Sequence, residues 1–165
     1  MVAITGGRAL AVAVLLCAMA APATAAPWPT SNVNATYNGY YPEQSGWDLR
    51  SINAFCAPWD ASQPLWWRQQ FGWAGLCEPW LGTSTSYGYC GTCINVTNRA
   101  TGKWIVARIV DKCTGGSVEL DYETVFSKID DSDGHGFDKG YLKVDYKFIS
   151  CYRASRPGGA EPGRM

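Results

Sequence analysis

Alternating apolar and polar residues mark three segments of this chain as β-strands. In the segment 141–152, apolar side chains recur at every second position, and charged side chains fill most of the positions between them. In the segment 102–113 two sets of mostly apolar residues alternate, and 90–98 is a third strand followed by the turn residues NRATG. A period of two is typical of a strand with two different faces, and the turn predicts a hairpin that joins 90–98 to 102–113. The predicted faces are Leu142, Val144, Tyr146 and Phe148 against Lys143, Asp145 and Lys147, and Ile105, Ala107 and Ile109 against Val106, Arg108 and Val110.

Helical spacing is confined to two short segments. The segment 60–72 opens with Asp60 or Ser62 as a capping residue, and its predicted apolar side is Leu65, Trp66 and Trp67. The segment 121–129 has apolar residues at helical spacing, with Asp121 as the candidate N-cap. The outline is therefore a small closed β-barrel with two or three short helices. The tail 154–165 has no apolar pattern, and we expect it to be disordered.

The N-terminal segment has the pattern of a secretory signal peptide. Arg8 precedes an apolar run, and small residues follow as far as Ala26. This apolar run is too short for a membrane anchor, and no later segment is apolar enough to span a bilayer. Cleavage after residue 26 predicts one domain over 27–153, secreted to the apoplast, with the vacuole as the alternative destination. It would leave 13 basic residues against 14 acidic ones, so the chain has no general attraction for a polyanion.

The cysteines point to a disulfide framework. Six remain in the predicted domain, and an even number in a small secreted domain is typical of disulfides. Six cysteines allow fifteen pairings, and their spacing does not choose among them. The CGTC motif at 90–93 lacks the second pair of ligands that a zinc site needs, so we predict no metal. The six are Cys56, Cys77, Cys90, Cys93, Cys113 and Cys151.

Two sequons fit a secreted protein. Asn34 begins Asn-Ala-Thr close to the predicted mature N-terminus, which makes it the favoured acceptor of a glycan. Asn95 begins Asn-Val-Thr inside a predicted strand, where burial would block it.

Several motifs occur in the order found in one known family. They are WDL at 47–49, CAPWDASQPLWWRQQFGW at 56–73, CGTC, RIVDKC at 108–113, LDYETVFSKI at 120–129 and the closing VDYKF followed by a cysteine. Over roughly residues 32 to 152 the chain resembles a barwin domain, the fourth class of plant pathogenesis-related proteins, in its single-domain type without a hevein domain.

The resemblance implies a fold, a disulfide pairing and a role. The fold would be a six-stranded double-psi β-barrel. The pairing would be Cys56–Cys90, Cys77–Cys113 and Cys93–Cys151. The role would be defence against fungi and bacteria. Some members of the family cleave RNA, and barwin-type domains bind chitin-like oligosaccharides weakly. Related barrels occur in expansins.

The chain departs from the ribonuclease members at both of their histidines. One family histidine follows the ATY segment, where this chain has Asn38, and the other lies in the last strand, where it has Tyr141. Metal-free RNA cleavage needs a base and an acid with pKa values near neutrality, and neither an amide nor a phenol supplies one. His135 is the only histidine of the chain. We treat it as a tentative catalytic residue, against the alternative of an exposed loop histidine beside two glycines.

Carboxylates offer a second route to catalysis. Asp111 ends the RIVDKC strand, and Asp121 matches an acidic residue that expansin-like relatives carry in a segment resembling ELDYETVF. Inverting glycosidases need two carboxylates about 6.5–9.5 Å apart, and Asp121 has the alternative role of a helix cap. The acidic loop at 130–138 does not fit a calcium loop, because Leu142 stands where the bidentate glutamate belongs.

Aromatic and amide side chains suggest a sugar-binding surface. The segment TYNGYYPE combines tyrosines with Asn38, and such neighbours suit sugar rings and their hydroxyls. We therefore predict a monomeric, cofactor-free protein that binds cell-wall oligosaccharides in a barrel cleft and does not act on membranes. The alternatives are a metal-independent ribonuclease and a non-catalytic binder of pathogen proteins. The candidate ligand-binding residues are Tyr37, Asn38, Tyr40, Arg108, Lys112 and Tyr141.

Overall fold

The computed structural model describes residues 30–77, 88–115, 117–130 and 133–151. The predicted signal peptide 1–26 and the predicted tail 154–165 lie outside these ranges. No helix within them is long and apolar enough to cross a membrane. The strands of the described ranges are β1 (Val33–Asn38), β2 (Gly72–Cys77), β3 (Cys93–Asn98), β4 (Trp104–Cys113), β5 (Val118–Asp121) and β6 (Tyr141–Ile149). The helices there are α1 (Ala57–Asp60), α2 (Leu65–Arg68), a π-helix (Tyr122–Phe126) that continues into α3 (Ser127–Ile129), and α4 (His135–Lys139).

These strands close into a barrel in the order β1-β5-β2-β4-β3-β6. The pairs β1/β5 and β2/β4 are parallel, and the other four neighbouring pairs are antiparallel. The β3–β4 hairpin forms at the turn that follows Asn98, as the sequence predicts. The architecture confirms the closed six-stranded double-psi barrel.

The barrel interior is filled by every second residue of its strands. In β6, Leu142, Val144 and Tyr146 are buried, whereas Lys143 and Lys147 are exposed, so the predicted alternation is confirmed. Small residues such as Ala35 and Ala74 leave room for the larger aliphatic side chains. The rest of this inner core includes Leu76, Ile94, Val96, Ala107, Ile109, Val118, Leu120, Val125, Phe126 and Ile129.

A second core lies on the outside of β2 and β4. The segment 40–57 packs over this face, and Trp73 and Val110 are buried beneath it. Trp73 meets Trp47 edge-on, with ring centroids 5.6 Å apart. Both faces of β2 and of the middle of β4 are therefore buried, which includes the face of β4 that carries Arg108 and Val110. Further members of this outer core are Tyr40, Leu49, Ala54, Cys56, Ala57 and Cys90.

The helix predicted over 60–72 is wrong in extent and in face. Two separate four-residue helices, α1 and α2, replace it, and Pro64 stands at the start of the second. Asp60 does not cap a helix, because it ends α1 and its carboxylate is buried against Arg108. Leu65 and Trp66 are 47% and 65% exposed, so two of the three residues of the predicted apolar side face solvent, and only Trp67 is half-buried.

Aspartate carboxylates accept hydrogen bonds from the first turn of each of the two later helical segments. The helical segment 121–129 is confirmed, although its first five residues after the cap form a π-helix, and Asp121 accepts a hydrogen bond from the Thr124 N–H as predicted. Part of the acidic segment that the sequence suggested to be a loop is instead α4. The Asp130 carboxylate accepts hydrogen bonds from the N–H groups of Gly136 and Phe137 in its first turn. The neighbouring residues Asp131 and Ser132 lie outside the described ranges.

Three disulfides tie the barrel to its surroundings. Cys56–Cys90 fastens the outer core, and Cys77–Cys113 joins directly paired positions at the ends of β2 and β4. Cys93–Cys151 fastens the chain after β6 to the start of β3. This is the pairing that the resemblance implies. Each disulfide contributes about 2–4 kcal/mol, mainly by restricting the unfolded chain.

Candidate functional site

A polar cleft of about 330 Å³ lies where β1 and β4 end beside β5. Its polar side chains include one amide and two carboxylates, and Lys112 is exposed at its edge. The lining residues are Asn38, Asp111, Lys112, Cys113, Thr114 and Glu119.

Strand register brings the two carboxylates to the same face. Gly75 of β2 pairs with Asp111 of β4 on one side and with Glu119 of β5 on the other. The β2/β4 register shifts between Ala74 and Gly75, so that Asp111 stands opposite Gly75 and Val110 is skipped. The irregularity therefore aims Asp111 at the cleft, in the way that β-bulges redirect side chains. Two strand spacings separate the α-carbons of Asp111 and Glu119, or roughly 9–10 Å.

Glu119 is held by neutral donors. Its Oε2 accepts hydrogen bonds from the Tyr40 hydroxyl at 2.9 Å and from the Asn38 amide at 3.2 Å. Gly75 makes room for this arrangement, because a Cβ at position 75 would lie 2.9 Å from the Tyr40 hydroxyl oxygen. Within the described residues, no donor reaches Glu119 Oε1.

Asp111 is held by backbone donors. Its Oδ1 accepts hydrogen bonds from the N–H groups of Phe55 at 2.8 Å and of Lys112 at 2.9 Å. In the described part of the chain, Asp111 Oδ2 has no hydrogen-bond donor. The Lys112 ammonium lies over the Phe55 ring, 4.9 Å from its centroid, and not in an ion pair with either carboxylate. Each cleft carboxylate thus keeps one oxygen open to a ligand.

Tyr40 contributes its hydroxyl and not its ring. The side chain is 4% exposed and its ring packs in the outer core, so the predicted use of this ring as a sugar platform is wrong. Burial raises the pKa of Tyr40 far above its ordinary value, and the negative charges of Asp111 and Glu119 raise it further. The phenol therefore stays protonated and donates to Glu119.

Asp121 is a structural residue. Its carboxylate is fully buried, and both oxygens are already engaged. Oδ1 accepts from the N–H groups of Tyr40 and Tyr41, and Oδ2 accepts from the N–H and the hydroxyl of Thr124. Four donors leave no lone pair directed at a substrate, so the catalytic assignment of Asp121 is corrected. Its function is to fix the turn that carries Tyr40.

Arg108 is also unavailable to a ligand. The guanidinium is completely buried, forms an ion pair with Asp60, and donates to the Arg68 carbonyl at 3.1 Å. It also lies 4.5 Å from the centroid of the Trp67 ring. Burial lowers the pKa of Arg108 while the charge of Asp60 opposes that change. The predicted contact between Arg108 and a phosphate is therefore wrong.

Tyr37 and His135 lie apart from the cleft lining. Tyr37 is half-buried, and its ring centroid lies 4.8 Å from that of Phe126 and 5.3 Å from that of Phe137. The predicted sugar contact of Tyr37 is corrected, because its ring is committed to this aromatic cluster. His135 is exposed at the start of α4, so it is a helix residue and not the predicted loop residue. Among the described residues, the lining of the cleft includes neither side chain.

The model of the Barwin family matches residues 29–151. The chain belongs to the Barwin family. It is also similar in fold to cerato-platanin 3 from M. perniciosa, at 16% sequence identity and a TM-score of 0.52, over 72% of this chain and 93% of that one. A second similar structure is a Clavibacter michiganensis expansin in complex with cellohexaose, at 18% identity and a TM-score of 0.46. That alignment covers 75% of this chain but only 51% of the expansin.

Both positions at which Barwin ribonucleases are expected to carry histidine lie on one outer face of this barrel. Tyr141 pairs with Thr36, and Asn38 follows Thr36 by two residues on the same face of β1. Diagonal neighbours of this kind lie about 7–8 Å apart. Sequence reasoning therefore identified two neighbouring positions, but an amide and a phenol occupy them.

Two parts of this Barwin surface were missed by sequence reasoning. Sequence reasoning did not single out Glu119, although the apolar Val118 and Leu120 on either side mark it as an outward residue. A second depression, of about 410 Å³, lies on the outer face of β3, β4 and β6. It is lined by Asn95, Thr97, Trp104, Asp145, Tyr146 and Lys147.

Proposed function

We propose that this Barwin-family chain is a secreted defence protein whose polar cleft binds a neutral oligosaccharide of a microbial or plant cell wall. The observation that carries the proposal is the pair of carboxylates, Asp111 and Glu119, on either side of Gly75. In each carboxylate, one oxygen accepts hydrogen bonds from the protein. The other oxygen has no donor in the described part of the chain.

Sugar hydroxyls supply the donors that these two oxygens lack. Hydrogen bonds to a charged acceptor contribute about 1.5–3 kcal/mol each, more than those between neutral groups. The Asn38 amide and the Thr114 hydroxyl add groups that both donate and accept. A few fixed polar groups of this kind are typical of small-molecule sites.

Exposed tyrosine rings beside the cleft favour a sugar further. Tyr41 is 46% exposed, and its ring lies over Gly39, next to Asn38. Tyr141 is 37% exposed on the same outer face as Asn38. Such rings offer apolar faces on which the C–H groups of a pyranose can pack.

The electrostatics of the cleft disfavour RNA. Two carboxylates face one exposed lysine, so a phosphate backbone meets net repulsion. The two positions of the family histidines also carry an amide and a phenol in place of imidazoles. We therefore place ribonuclease activity behind sugar binding.

Isothermal titration with chitin and cellulose oligosaccharides tests the proposal. We expect Glu119→Gln and Asp111→Asn each to weaken binding at least tenfold, because each loses a charged acceptor. The matched control is Asp138→Asn, which neutralises an exposed carboxylate on α4 and should leave affinity unchanged.

Unchanged affinity in both cleft variants would overturn the assignment of the cleft. The same samples should be incubated with RNA in EDTA and with the oligosaccharides overnight. RNA cleavage that Asp138→Asn retains and Asp111→Asn loses would establish the ribonuclease instead. Shortened oligosaccharides would extend the function from binding to hydrolysis.

A further inference from the structure

The second depression is separate from the cleft. It lies on the outer surface of the β4-β3-β6 sheet, and Trp104 at the start of β4 is one of its walls. Asp111 of the cleft lies seven residues further along the same strand. At about 3.3 Å per residue, roughly 20 Å separates the two sites.

The second sequon lies in this depression. Asn95 and Thr97 both point outward, whereas Val96 between them is fully buried in the barrel. Asn95 is half-buried, and its amide oxygen accepts a hydrogen bond of 3.5 Å from the Thr97 hydroxyl. The expectation that a strand position blocks this sequon therefore fails, because the strand alternates and the sequon occupies its outer face.

The strand register places the ring of Trp104 next to Asn95, the glycan acceptor. Thr97 pairs with Trp104 and Asn95 with Val106, so that Trp104 is the diagonal neighbour of Asn95. The corresponding distance is about 7–8 Å, within reach of the first sugars of a chain attached to Asn95. Lys147 stands directly opposite Asn95 on β6, and Asp145 stands opposite Thr97.

The first sequon is less well placed. Asn34 is half-buried on β1 between β6 and β5. Its amide oxygen is buried and, among the described residues, has no hydrogen-bond partner. Its carboxamide is therefore turned partly into the protein and not toward an open surface.

We propose that Asn95 carries an N-linked glycan, and that its first N-acetylglucosamine residues lie in the depression against the ring of Trp104. The glycan covers the half-buried indole, and the exposed Lys147 ammonium hydrogen-bonds its hydroxyl and acetamide groups at the rim. Modification requires passage through the secretory pathway, which the N-terminal segment predicts. The depression is thus occupied by the protein's own sugar, and the cleft remains the site for an external one.

Mass spectrometry of the full chain, expressed in plant cells and collected from the apoplastic fluid, tests occupancy. We expect a peptide containing Asn95 with a glycan mass that is removed by an endoglycosidase. The glycan should persist in Thr97→Ser, which keeps the sequon, and be lost in Asn95→Gln and Thr97→Ala. An unmodified Asn95 in the secreted protein overturns the proposal, whether or not the depression then binds free sugars.

The position of the glycan against Trp104 needs a second measurement. We expect native enzymatic release of the glycan to be at least tenfold slower in the parent than in Trp104→Ala. Release should also change the tryptophan emission of the parent but not that of Trp104→Phe, which keeps a ring for folding. Equal release rates together with unchanged emission would show that the glycan projects into solvent. The oligosaccharide affinity of the cleft should also be measured in Asn95→Gln, which lacks the glycan. That affinity tests the proposed function of the cleft independently of whether Asn95 carries a glycan.

Discussion

Tyr40 shows how one residue joins the outer core to the cleft. Its ring packs beside Trp73, and its hydroxyl reaches past Gly75 to Glu119. Asp121 holds the backbone N–H of Tyr40 and so sets the direction of the side chain. Tyr40 thus fixes the position of Glu119 through its hydroxyl, while its buried ring has no contact with a ligand in the cleft.

Replacement of Tyr40 by Phe isolates the hydroxyl. The ring packing stays, while Glu119 loses a donor, so we expect a loss of about 1 kcal/mol in the free energy of unfolding. Oligosaccharide affinity should fall several-fold, because Glu119 gains rotational freedom. Urea unfolding and calorimetric titration measure the two effects. Tyr37→Phe, outside the cleft lining, is the control, and equal affinities in the two variants would contradict the role given to Tyr40.

Asp145 links stability to acid pH. Hydrogen bonds from Ser31, from the Asn32 N–H and from Arg99 lower the pKa of this carboxyl to about 2. The unfolded value is about 3.9, so its stabilisation is fully present above that value and is lost as pH falls through about 2. We expect Asp145→Asn to be less stable than the parent at about pH 5, and this difference to close as pH falls below about 2. Thermal melting across that range measures the difference, and a gap that persists at still lower pH would exclude titration as its cause.

At the scale of elements, a strand can be predicted from the sequence when its apolar and polar residues alternate. The strand β6 has one face in the core and one in solvent, so its period of two is visible and the prediction was confirmed. The strand β2 has the sequence GWAGLC and is buried on both faces. It therefore lacks the alternation of apolar and polar residues from which a strand is predicted. The strands β1 and β5 are short and carry polar side chains into the cleft, which hides them in the same way.

Burial likewise separates the candidate site residues that a ligand can reach from those that it cannot. Asn38, Asp111 and Lys112 stand near strand ends and line the cleft, and their roles in binding or catalysis stay predictions. Asp121 combines a local cap on Thr124 with hydrogen bonds from the distant Tyr40 and Tyr41 N–H groups. The polar contacts of Arg108 all come from segments distant along the chain. Asp60 lies 48 residues from Arg108 in the sequence, and no local sequence pattern predicts that ion pair.

The ion pair between Asp60 and Arg108 anchors α1 and α2 to β4. We expect Asp60→Ala to cost about 3–5 kcal/mol of unfolding free energy, because it leaves a buried guanidinium without its counter-charge. The double variant Asp60→Leu/Arg108→Met should recover much of that loss. Urea unfolding measures both, with Asp138→Ala as the exposed control. A single variant within about 1 kcal/mol of the parent would contradict this account.

At the scale of the molecule, the barrel depends on covalent ties because its chain is short. The Cys93–Cys151 disulfide spans 58 residues and holds the end of β6 against β3. Closed loops of that size restrict the unfolded chain by about 4 kcal/mol. This estimate assigns the disulfide a large share of the roughly 5–15 kcal/mol typical of a domain.

Replacement of Cys93 and Cys151 by Ala tests how much of the free energy of unfolding depends on their disulfide. We expect Cys93→Ala/Cys151→Ala to lower the free energy of unfolding by about 4 kcal/mol, as measured by urea unfolding. Oligosaccharide affinity under native conditions should be unchanged, because neither cysteine lines the cleft. A loss of affinity at temperatures where the variant is fully folded would show instead that this tie shapes the site.

The three disulfides also overlap along the chain. They close the intervals 56–90, 77–113 and 93–151, and each of the later two begins before the previous one ends. A protease that cuts any one peptide bond between Cys56 and Cys151 therefore leaves two fragments that are still covalently joined. The nicked protein would migrate as one species until reduced, with its barrel strands still paired. Among proteases, such a molecule needs more than one cut before it comes apart.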